Sequence, residues 1–307
     1  MDVFHFRNFE APGPHQAVLT IGNFDGVHIG HQALIRQVVR DARQMGVQCA
    51  LLTFQPHPQS VLQAHPPPII TSIAMRRRLF QQLGLDAAFF IPFTREFARK
   101  SPENFVRQYL LAYFRIKKLI VGFDFQFGHE RRGSAEILRG LSEEFGFQFE
   151  IFPQVSLGEE KVSSSNIRAA LAEADFARAE RLLGRPFSVL EEVQRGEQRG
   201  REIGFPTVNQ VPAEPLPLSF GVYASRVIVQ ERTYGAVSNY GVKPTVGTDK
   251  PLLESYLFDF DGQIYGELAE VFPLRQLRSE RKFPSLDALK RQIAVDRDGA
   301  LSYLDSL

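Results

Sequence analysis

Two histidines at the mouth of a helix are the side chains in this sequence best placed for chemistry. His28 and His31 follow a buried strand, Ala17–Ile21, and a glycine-punctuated turn, Gly22–Gly26. We expect both imidazoles to face one ligand, because residues three apart lie on the same face of a helix. Backbone N–H groups at a helix N-terminus bind anions, and Gly30 lets a phosphate approach without meeting a Cβ atom. The arrangement predicts a phosphate site, although two solvated histidines at a helix start would give the same spacing.

Two later segments are expected to join this site. Val121–Gly128 follows a predicted strand and combines the carboxylate of Asp124 with three aromatic rings. This combination suits a flat ligand or a metal bound to phosphate. Ser163–Arg168 opens a helix, so its hydroxyls can cap that helix or bind phosphate, and Arg168 can clamp a polyphosphate with two hydrogen bonds. A serine run is by itself more typical of a simple N-cap.

A second candidate site lies in the glycine-rich stretch Gly196–Asn209. Its glycines flank basic residues, so backbone amides can wrap a phosphate, although the spacing fits neither a P-loop nor a dinucleotide fingerprint. Thr207 and Asn209 are two residues apart and point to one side of an extended strand. A hydroxyl and an amide oxygen suit Mg²⁺. An ordinary glycine-rich hairpin is the alternative.

The first half of the chain alternates predicted strands and helices. This alternation implies an α/β fold with a doubly wound parallel sheet, in which ligands bind beyond the carboxyl ends of the strands. The predicted strands after Ala17–Ile21 are Val47–Phe54, Ala87–Ile91, Lys118–Gly122 and Gln148–Phe152. The predicted helices are Gln32–Met45, one capped by Thr71 or Ser72 and running to Leu83, one started by Ser101-Pro102-Glu103, and Ser134–Phe145.

The pattern changes after Gly184-Arg185-Pro186. From there, short alternating runs predict a small antiparallel β-barrel, with Asp261-Gly262 interpreted as a hairpin turn between two of its strands. Ser285 is expected to cap a C-terminal helix that closes one side of the barrel and turns inward the residues Leu286, Leu289, Ile293 and Ala294. We therefore predict two domains, residues 1–185 and 186–307.

Bulk composition narrows the class of function. The chain of 307 residues is 44% hydrophobic and 23% charged, and its net charge of +1 gives no argument for binding nucleic acid or an anionic membrane. The runs Arg76–Arg78 and Arg131-Arg132 are interpreted as solvated surfaces, and Cys49 as a buried structural thiol. Neither a signal peptide nor a membrane-spanning run is apparent, so the cytoplasm is the expected location. Self-association is compatible with the sequence but is not indicated by it.

The first set of motifs resembles a known family. Gly22–His31 with Ser163–Arg168 resembles the nucleotidylyltransferase superfamily, and Thr53–Pro58 is similar to the FAD synthetase module of bacterial bifunctional riboflavin kinase/FAD synthetases. The resemblance implies a Rossmann-like sheet and transfer of AMP from ATP to FMN, with release of pyrophosphate and no covalent intermediate. It implies that His28 and His31 bind the ATP phosphates and stabilise the transition state. The other residues implied to bind ATP phosphates are Gly22, Asn23, Phe24, Asp25, Gly30, Ser163, Ser164, Ser165 and Arg168, and those implied to lie near the flavin are Asp124, Phe125 and Phe127.

The second set of motifs resembles the riboflavin kinase module of the same family. It consists of Gly196–Asn209, Gly221–Ala224, Asn239–Thr245, Leu253-Glu254, Tyr265-Gly266 and Leu277–Phe283. The resemblance implies ATP-dependent phosphorylation of the riboflavin 5′-hydroxyl, with Glu254 as the base and Mg²⁺ held at Thr207 and Asn209. The residues implied to bind ATP are Gly196, Gly200, Arg201, Gly204 and Pro206, and those implied to contact flavin are Arg278 and Glu280. ATP is then a co-substrate, and FMN and FAD are substrate and products rather than redox cofactors.

The sequence departs from the family pattern at four positions. Ser165 replaces a usual threonine, Phe123 a residue that is often polar, Glu191 a common glycine and Tyr240 a usual aliphatic residue. Two alternatives to a bifunctional enzyme therefore stay open: only one module is active, or the chain is a non-catalytic flavin or nucleotide sensor. A sensor needs no base, so the presence of Glu254 argues against the second alternative.

Overall fold

The computed structural model describes residues 1–5, 16–126, 135–195, 205–242 and 251–307. The chain divides into two compact units, one formed by Met1–Pro67 with Arg76–Ser163 and the other by Pro68–Met75 with Ser164–Leu307. Each unit contains one six-stranded sheet. Within the described residues, no helix is long and apolar enough to cross a membrane.

The sheet of the first unit is entirely parallel. Its strands are β1 (Asp2–His5), β2 (Ala17–Ile21), β3 (Gln48–Gln55), β4 (Ala87–Pro92), β5 (Ile116–Gly122) and β6 (Gln148–Phe152). They lie in the order β1-β4-β3-β2-β5-β6, so β3 and β5 flank β2 on opposite sides. The doubly wound parallel sheet is thus confirmed, and the order of strands reverses at β2, where sheets of this kind bind ligands.

Helices bury the sheet of the first unit. The helices that lie wholly or mostly in this unit are α1 (Ile29–Met45), α2 (Pro58–Leu62), α3 (Ile73–Gln82), α4 (Arg95–Ala98), α5 (Pro102–Phe105), a π-helix (Val106–Tyr113) and α6 (Ala135–Phe145). A short hairpin of β7 (Ser156–Leu157) and β8 (Glu160–Lys161) follows β6. All residues of β2 are buried, as expected for a strand covered on both faces. Leu19 packs in one core cluster with Val106 and Leu110 of the π-helix. Helix α1 contacts β2 and β3, and its buried residues include Leu34 and Val38.

Helix α1 begins three residues earlier than the predicted Gln32–Met45. His28 is its N-cap, because the Nδ1 atom of His28 accepts a hydrogen bond from the His31 N–H at 3.2 Å. The helix ends before Gly46, whose φ of 65° is the left-handed conformation that terminates helices. Of the two candidate caps for α3, Ser72 is the one used, since its Oγ accepts the backbone N–H three residues on at 3.2 Å.

Cys49 is a buried free thiol in β3. Its Sγ lies 3.1 Å from the carboxylate of Asp86 and 3.4 Å from the carbonyl oxygen of Gly84. Burial, and secondly the hydrogen bond with Asp86, raise the pKa of the thiol to about 11. The thiol therefore stays protonated at neutral pH, which confirms the expected structural role.

The second unit is built around an antiparallel β-barrel. Its strands are β9 (Val189–Glu192), β10 (Thr207–Gln210), β11 (Gly221–Val229), β12 (Arg232–Val242), β13 (Pro251–Leu257) and β14 (Leu268–Ser279), and its helices are α7 (Ser164–Ala172), α8 (Phe176–Leu183) and α9 (Leu286–Asp305). The strand order is β10-β13-β12-β11-β14-β9, and a bridge between Gln194 and Asn209 joins the two ends. Helix α9 contacts β11, β12 and β14, so the predicted barrel with a C-terminal helix is confirmed.

Two predictions for this unit are wrong. Asp261-Gly262 is not a hairpin turn between paired strands, because β13 pairs with β10 and β12 whereas β14 pairs with β9 and β11. Leu286 does not face the barrel, since it is 55% exposed. Ser285 does cap α9, but the helix buries Asp296 and Ala300, farther along, because Asp296 pairs with Arg278 of the barrel.

The domain boundary near residue 185 stays a prediction, which truncation tests. A fragment of residues 186–307 should fold, because the barrel and α9 lie entirely within it. A fragment of residues 164–307 should unfold at a higher temperature, because the Phe176 ring packs 6.1 Å from that of Tyr223 and the Ser219 hydroxyl donates to the Ala172 carbonyl at 2.7 Å. Thermal unfolding followed by circular dichroism compares the two, and absence of a cooperative transition for 186–307 would contradict the boundary.

Candidate active sites

The turn after β2 has a backbone conformation that ordinary residues avoid. Phe24 and Val27 have positive φ angles of 50° and 41°, and Gly26 has one of 86°. A bulky residue in this region costs about 1–3 kcal/mol and persists only where its surroundings hold it. The Gly22 N–H donates to the Leu52 carbonyl at 3.1 Å, which ties the start of the turn to β3. Strain of this kind is typical of ligand-binding turns.

A buried arginine holds the centre of this turn. The Nη1 atom of Arg76 donates to the Asn23 carbonyl at 3.2 Å, and the Thr53 hydroxyl donates to the same oxygen at 3.1 Å. Arg76 is only 6% exposed, and its guanidinium lies 5.6 Å from the centre of the Phe90 ring. Burial lowers the pKa of Arg76, and the charge of nearby Asp25 opposes that shift.

The sequence analysis missed this arginine. The run Arg76–Arg78 was interpreted as a solvated surface, which holds for Arg77 and Arg78 but is wrong for Arg76. The signal that could have found it is helical spacing, because Arg76 precedes the buried Phe80 by four residues and so shares its face of α3.

The two histidines lie against each other directly after the turn. Their rings stack with centroids 3.6 Å apart and an interplanar angle of 15°. Because Nδ1 of His28 accepts the His31 N–H, the proton of a neutral His28 ring is assigned to Nε2. Burial, and secondly His28, hold the pKa of His31 well below 6.5. The Nδ1 atom of His31 is buried without a hydrogen-bond partner among the described residues.

The carboxyl end of β5 reaches the same edge of the sheet. Thr20 of β2 pairs with Ile120 of β5, so the turn after Ile21 and the segment after Gly122 are neighbours. Phe123 is 52% exposed and Asp124 is exposed as well. Phe125 is partly buried and packs against the core, so its ring is less available than the sequence suggested. Phe127 lies outside the described residues.

The predicted serine segment begins a helix. Ser163 precedes α7, and Ser164 and Ser165 form its first turn. The Nε atom of Arg168 donates to the Pro68 carbonyl at 2.7 Å, within the second unit. Polyphosphate binding by these four residues stays a prediction.

The register of the barrel places three polar residues in one row. Glu254 of β13 pairs with Asn209 of β10 on one side and with Asn239 of β12 on the other. Residues directly opposite in antiparallel strands project to the same face. The row continues through Val222, which packs in a cluster with Ala300 of α9. A carboxylate flanked by two amides therefore lies on the face of the barrel that α9 covers. The sequence analysis quoted the motif containing Asn239 but gave this residue no role.

Two residues predicted to bind flavin lie close to this row. Arg278 pairs with Val222 in the same register, and its guanidinium is held by the carboxylate of Asp296 at 2.8–3.1 Å. Glu280 lies against β12, since a Cβ added at Gly241 would be 2.6 Å from its Oε1 atom. Gly241 therefore has to be glycine while Glu280 keeps this position.

The remaining predicted residues of the barrel are only partly described. Gly196, Gly200, Arg201 and Gly204 lie outside the described residues. Pro206 is exposed and directly precedes β10, on which Thr207 is half-buried and Asn209 is 7% exposed. The Nδ2 atom of Asn209 lies 3.5 Å from the carbonyl of Thr207, so the amide oxygen of Asn209 is not used in that contact.

Two of the positions that depart from the family pattern, Glu191 and Tyr240, are shaped by burial in the barrel unit. Tyr240 is buried, and its hydroxyl accepts the Leu216 N–H at 2.7 Å, so the phenol ties the segment before β11 to the barrel. Burial raises the pKa of Glu191 to about 7, so this carboxyl is partly protonated at neutral pH.

Comparison with known proteins identifies the family of each half of the chain. Residues 11–166 match the family model for FAD synthetase, and residues 183–304 match that for riboflavin kinase. The bifunctional riboflavin kinase/FMN adenylyltransferase of Haemophilus influenzae is 36% identical over 292 residues, which are 94% of each chain. That of Escherichia coli K12 is 36% identical over 91% of this chain and 90% of its own.

The chain belongs to the bifunctional riboflavin kinase/FMN adenylyltransferase family. It makes FMN from riboflavin and ATP, and FAD from FMN and ATP. A crystal structure described as a macrolide-efflux protein from Streptococcus pneumoniae is also similar, with a TM-score of 0.77, 31% identity, and coverage of 96% of this chain and 97% of that one. The resemblance read from the motifs is thus confirmed for both halves of the chain.

A methyl group at Gly30 tests the histidine pair. The Cβ of Gly30→Ala would lie 3.2 Å from Nδ1 and 3.3 Å from Cε1 of His28, so the ring must move. The required shift is a few tenths of an ångström, less than the roughly 1 Å misplacement that costs on the order of 10² in rate, so we expect FAD formation from FMN to fall about tenfold. FMN formation should not change.

Gly140→Ala is the matched control, because the methyl group that it adds to α6 has no described atom within 4 Å. It should keep both activities, which product chromatography measures. Normal FAD formation by Gly30→Ala would mean that the exact position of the His28 ring is unimportant.

Proposed function

We propose that Glu254 is the general base of the riboflavin kinase reaction. The 5′-hydroxyl oxygen of riboflavin bonds to the γ-phosphorus of ATP, the bond from that phosphorus to the β,γ-bridging oxygen breaks, and the hydroxyl proton passes to the carboxylate of Glu254. The observation that supports this role is the row Asn209–Glu254–Asn239, which sets a half-buried carboxylate between two amides on one face of the barrel. Asn239 is well placed to bind the substrate beside the base.

We propose that Thr207 and Asn209 hold Mg²⁺ together with the phosphates of ATP. A hydroxyl and an amide oxygen on one side of a strand are hard donors, and Mg²⁺ typically takes few protein ligands beside substrate phosphates. When bound, the ion neutralises charge on the phosphates. Gly196, Gly200, Arg201, Gly204 and Pro206 would cradle ATP, while Arg278 and Glu280 would contact the flavin.

We propose that His28 and His31 serve adenylyl transfer. An oxygen of the FMN phosphate bonds to the α-phosphorus of ATP, and pyrophosphate leaves with the electrons of the broken bond. The stacked imidazoles at the N-terminus of α1 support this role, as does the buried Nδ1 atom of His31, which has no hydrogen-bond partner in the part of the chain that the structure describes. Gly22, Asn23, Phe24, Asp25, Gly30, Ser163, Ser164, Ser165 and Arg168 would bind the polyphosphate, and Asp124, Phe125 and Phe127 the flavin. Both reactions consume ATP, so we propose the cytoplasm as their location.

Two substitutions should separate the activities. Glu254→Gln keeps the shape of the side chain but removes the base, so FMN formation should fall by about 10²–10⁴-fold while FAD formation from added FMN survives. His28→Ala should have the reverse effect, with a loss on the order of 10²–10³ in FAD formation. Chromatography of flavins with riboflavin or FMN as substrate measures both. Equal loss of both activities in either variant would overturn the assignment of separate sites.

Binding of ATP should take up a proton at His31. Burial and His28 lower the pKa of His31 in the free protein, and a phosphate beside the ring favours the charged form and raises that pKa again. A ligand that raises a pKa binds more tightly as pH falls through the pKa of the complex, so affinity for ATP should increase below neutral pH.

Calorimetry in two buffers of different ionisation enthalpy measures the proton uptake. Wild-type protein and His31→Gln are measured at the same pH, near 6. The ATP site of the second unit contributes equally to both proteins, so it cancels in the difference between them. The difference between them should be a positive proton uptake that His31→Gln lacks. Identical uptake in the two proteins would show that His31 does not face the phosphates.

A further inference from the structure

Arg76 is a buried cation that the proposed mechanism does not use. Its guanidinium donates to the Asn23 carbonyl and lies over Phe90, and its Nε atom is buried without a hydrogen-bond partner among the described residues. A buried charge is expensive unless it is paired, and apolar replacements are often at least as stable. Stability alone is therefore a weak reason for a guanidinium at this position.

The contact of Arg76 fixes the direction of one peptide group. In a trans peptide the N–H points opposite to the C=O. The Asn23 carbonyl accepts hydrogen bonds from Arg76 and Thr53, so the N–H of Phe24 points away from the buried guanidinium. That N–H belongs to the turn between β2 and the N-cap His28, where the nucleotide phosphates are proposed to bind.

The opposite orientation of this peptide would relieve the positive φ angle of Phe24. Rotating the Asn23–Phe24 peptide by half a turn changes φ of Phe24 from 50° to roughly −130°, a negative value of the kind that residues with a side chain favour. In that state the N–H would point toward Arg76 and the carbonyl toward the phosphates. The two donors to the Asn23 carbonyl thus hold the strained direction against the relaxed one.

We propose that Arg76 is a positioning residue for adenylyl transfer. It keeps the Asn23–Phe24 peptide in the strained orientation that presents the Phe24 N–H to the phosphates of ATP. Asp25, whose charge acts on Arg76, balances the buried cation. The proposal rests on the phosphate site proposed for the first unit, and it adds a specific backbone donor and the residue that orients it.

Kinetics of the full-length chain test this role. Arg76→Met removes the donor and the charge, so the KM for ATP in FAD formation should rise at least tenfold while the KM for FMN stays within about twofold. Arg76→Lys keeps a charged donor and should recover most of the loss. Thr53→Val removes the second donor and should raise the KM for ATP by a smaller factor. FMN formation by the same chain is an internal control and should not change.

Two further variants separate positioning from loss of stability. Arg77→Met changes the exposed neighbour on α3 and should behave as wild type. Phe114→Leu weakens a fully buried core position away from the turn, so it should lower the melting temperature without raising the KM for ATP. Assays are run well below the melting temperature of every variant.

The outcomes discriminate between the two proposals. A raised KM for ATP in Arg76→Met that Arg76→Lys restores supports the positioning role. Normal kinetics in Arg76→Met, or a loss that Phe114→Leu reproduces at equal destabilisation, overturns it. If Arg76→Met is normal while His28→Ala abolishes FAD formation, only the role of Arg76 fails. If His28→Ala keeps FAD formation, the phosphate site itself is misassigned.

Discussion

Strand register is the constraint on which both candidate sites depend. In the first unit, parallel pairing of β2 with β5 brings the turn before His28 and the segment around Asp124 to one edge. In the second unit, antiparallel pairing of β13 with β10 and β12 aligns Glu254 with two asparagines. A shift of one residue would turn every side chain of a strand to its opposite face. The buried side chains of each strand fix its register, and the register in turn fixes which polar residues share a face of the sheet.

The two sites use this constraint in different ways. The barrel carries its proposed base on a regular strand, where neighbouring strands orient the side chain. The first unit instead has its proposed phosphate site on a strained turn and a helix N-terminus, where backbone N–H groups would supply the binding. A strained turn needs a partner to hold it, and the hydrogen bonds from Arg76 and Thr53 to Asn23 are contacts of that kind. Burial, and secondly His28, hold the pKa of His31 well below 6.5, which favours a neutral ring in the free protein.

Local patterns predicted most of the fold, and their failures have physical reasons. The strand Ala17–Ile21 and the stop at Gly46 follow from burial and from the left-handed conformation of glycine. The start of α1 was misjudged because a histidine is an unusual N-cap, although its Nδ1 atom can accept the same hydrogen bond as a serine hydroxyl. Asp261-Gly262 marks a local reversal, but only long-range pairing decides which strands become neighbours. Motif resemblance pointed to Glu254, whereas the surroundings of Asn239 and Arg76 became clear from strand register and burial.

The central claim is that one chain carries two separate sites that act in sequence on the flavin. Incubation of the wild-type protein with riboflavin, Mg²⁺ and ATP labelled at either the γ- or the α-phosphorus tests it most directly. The account predicts that the γ-label appears in FMN and then in FAD, and that the α-label appears in FAD alone. A γ-label that stops at FMN, or an α-label that never reaches a flavin, would contradict the claim for the first unit. Absence of the γ-label from both FMN and FAD would contradict the claim for the second unit.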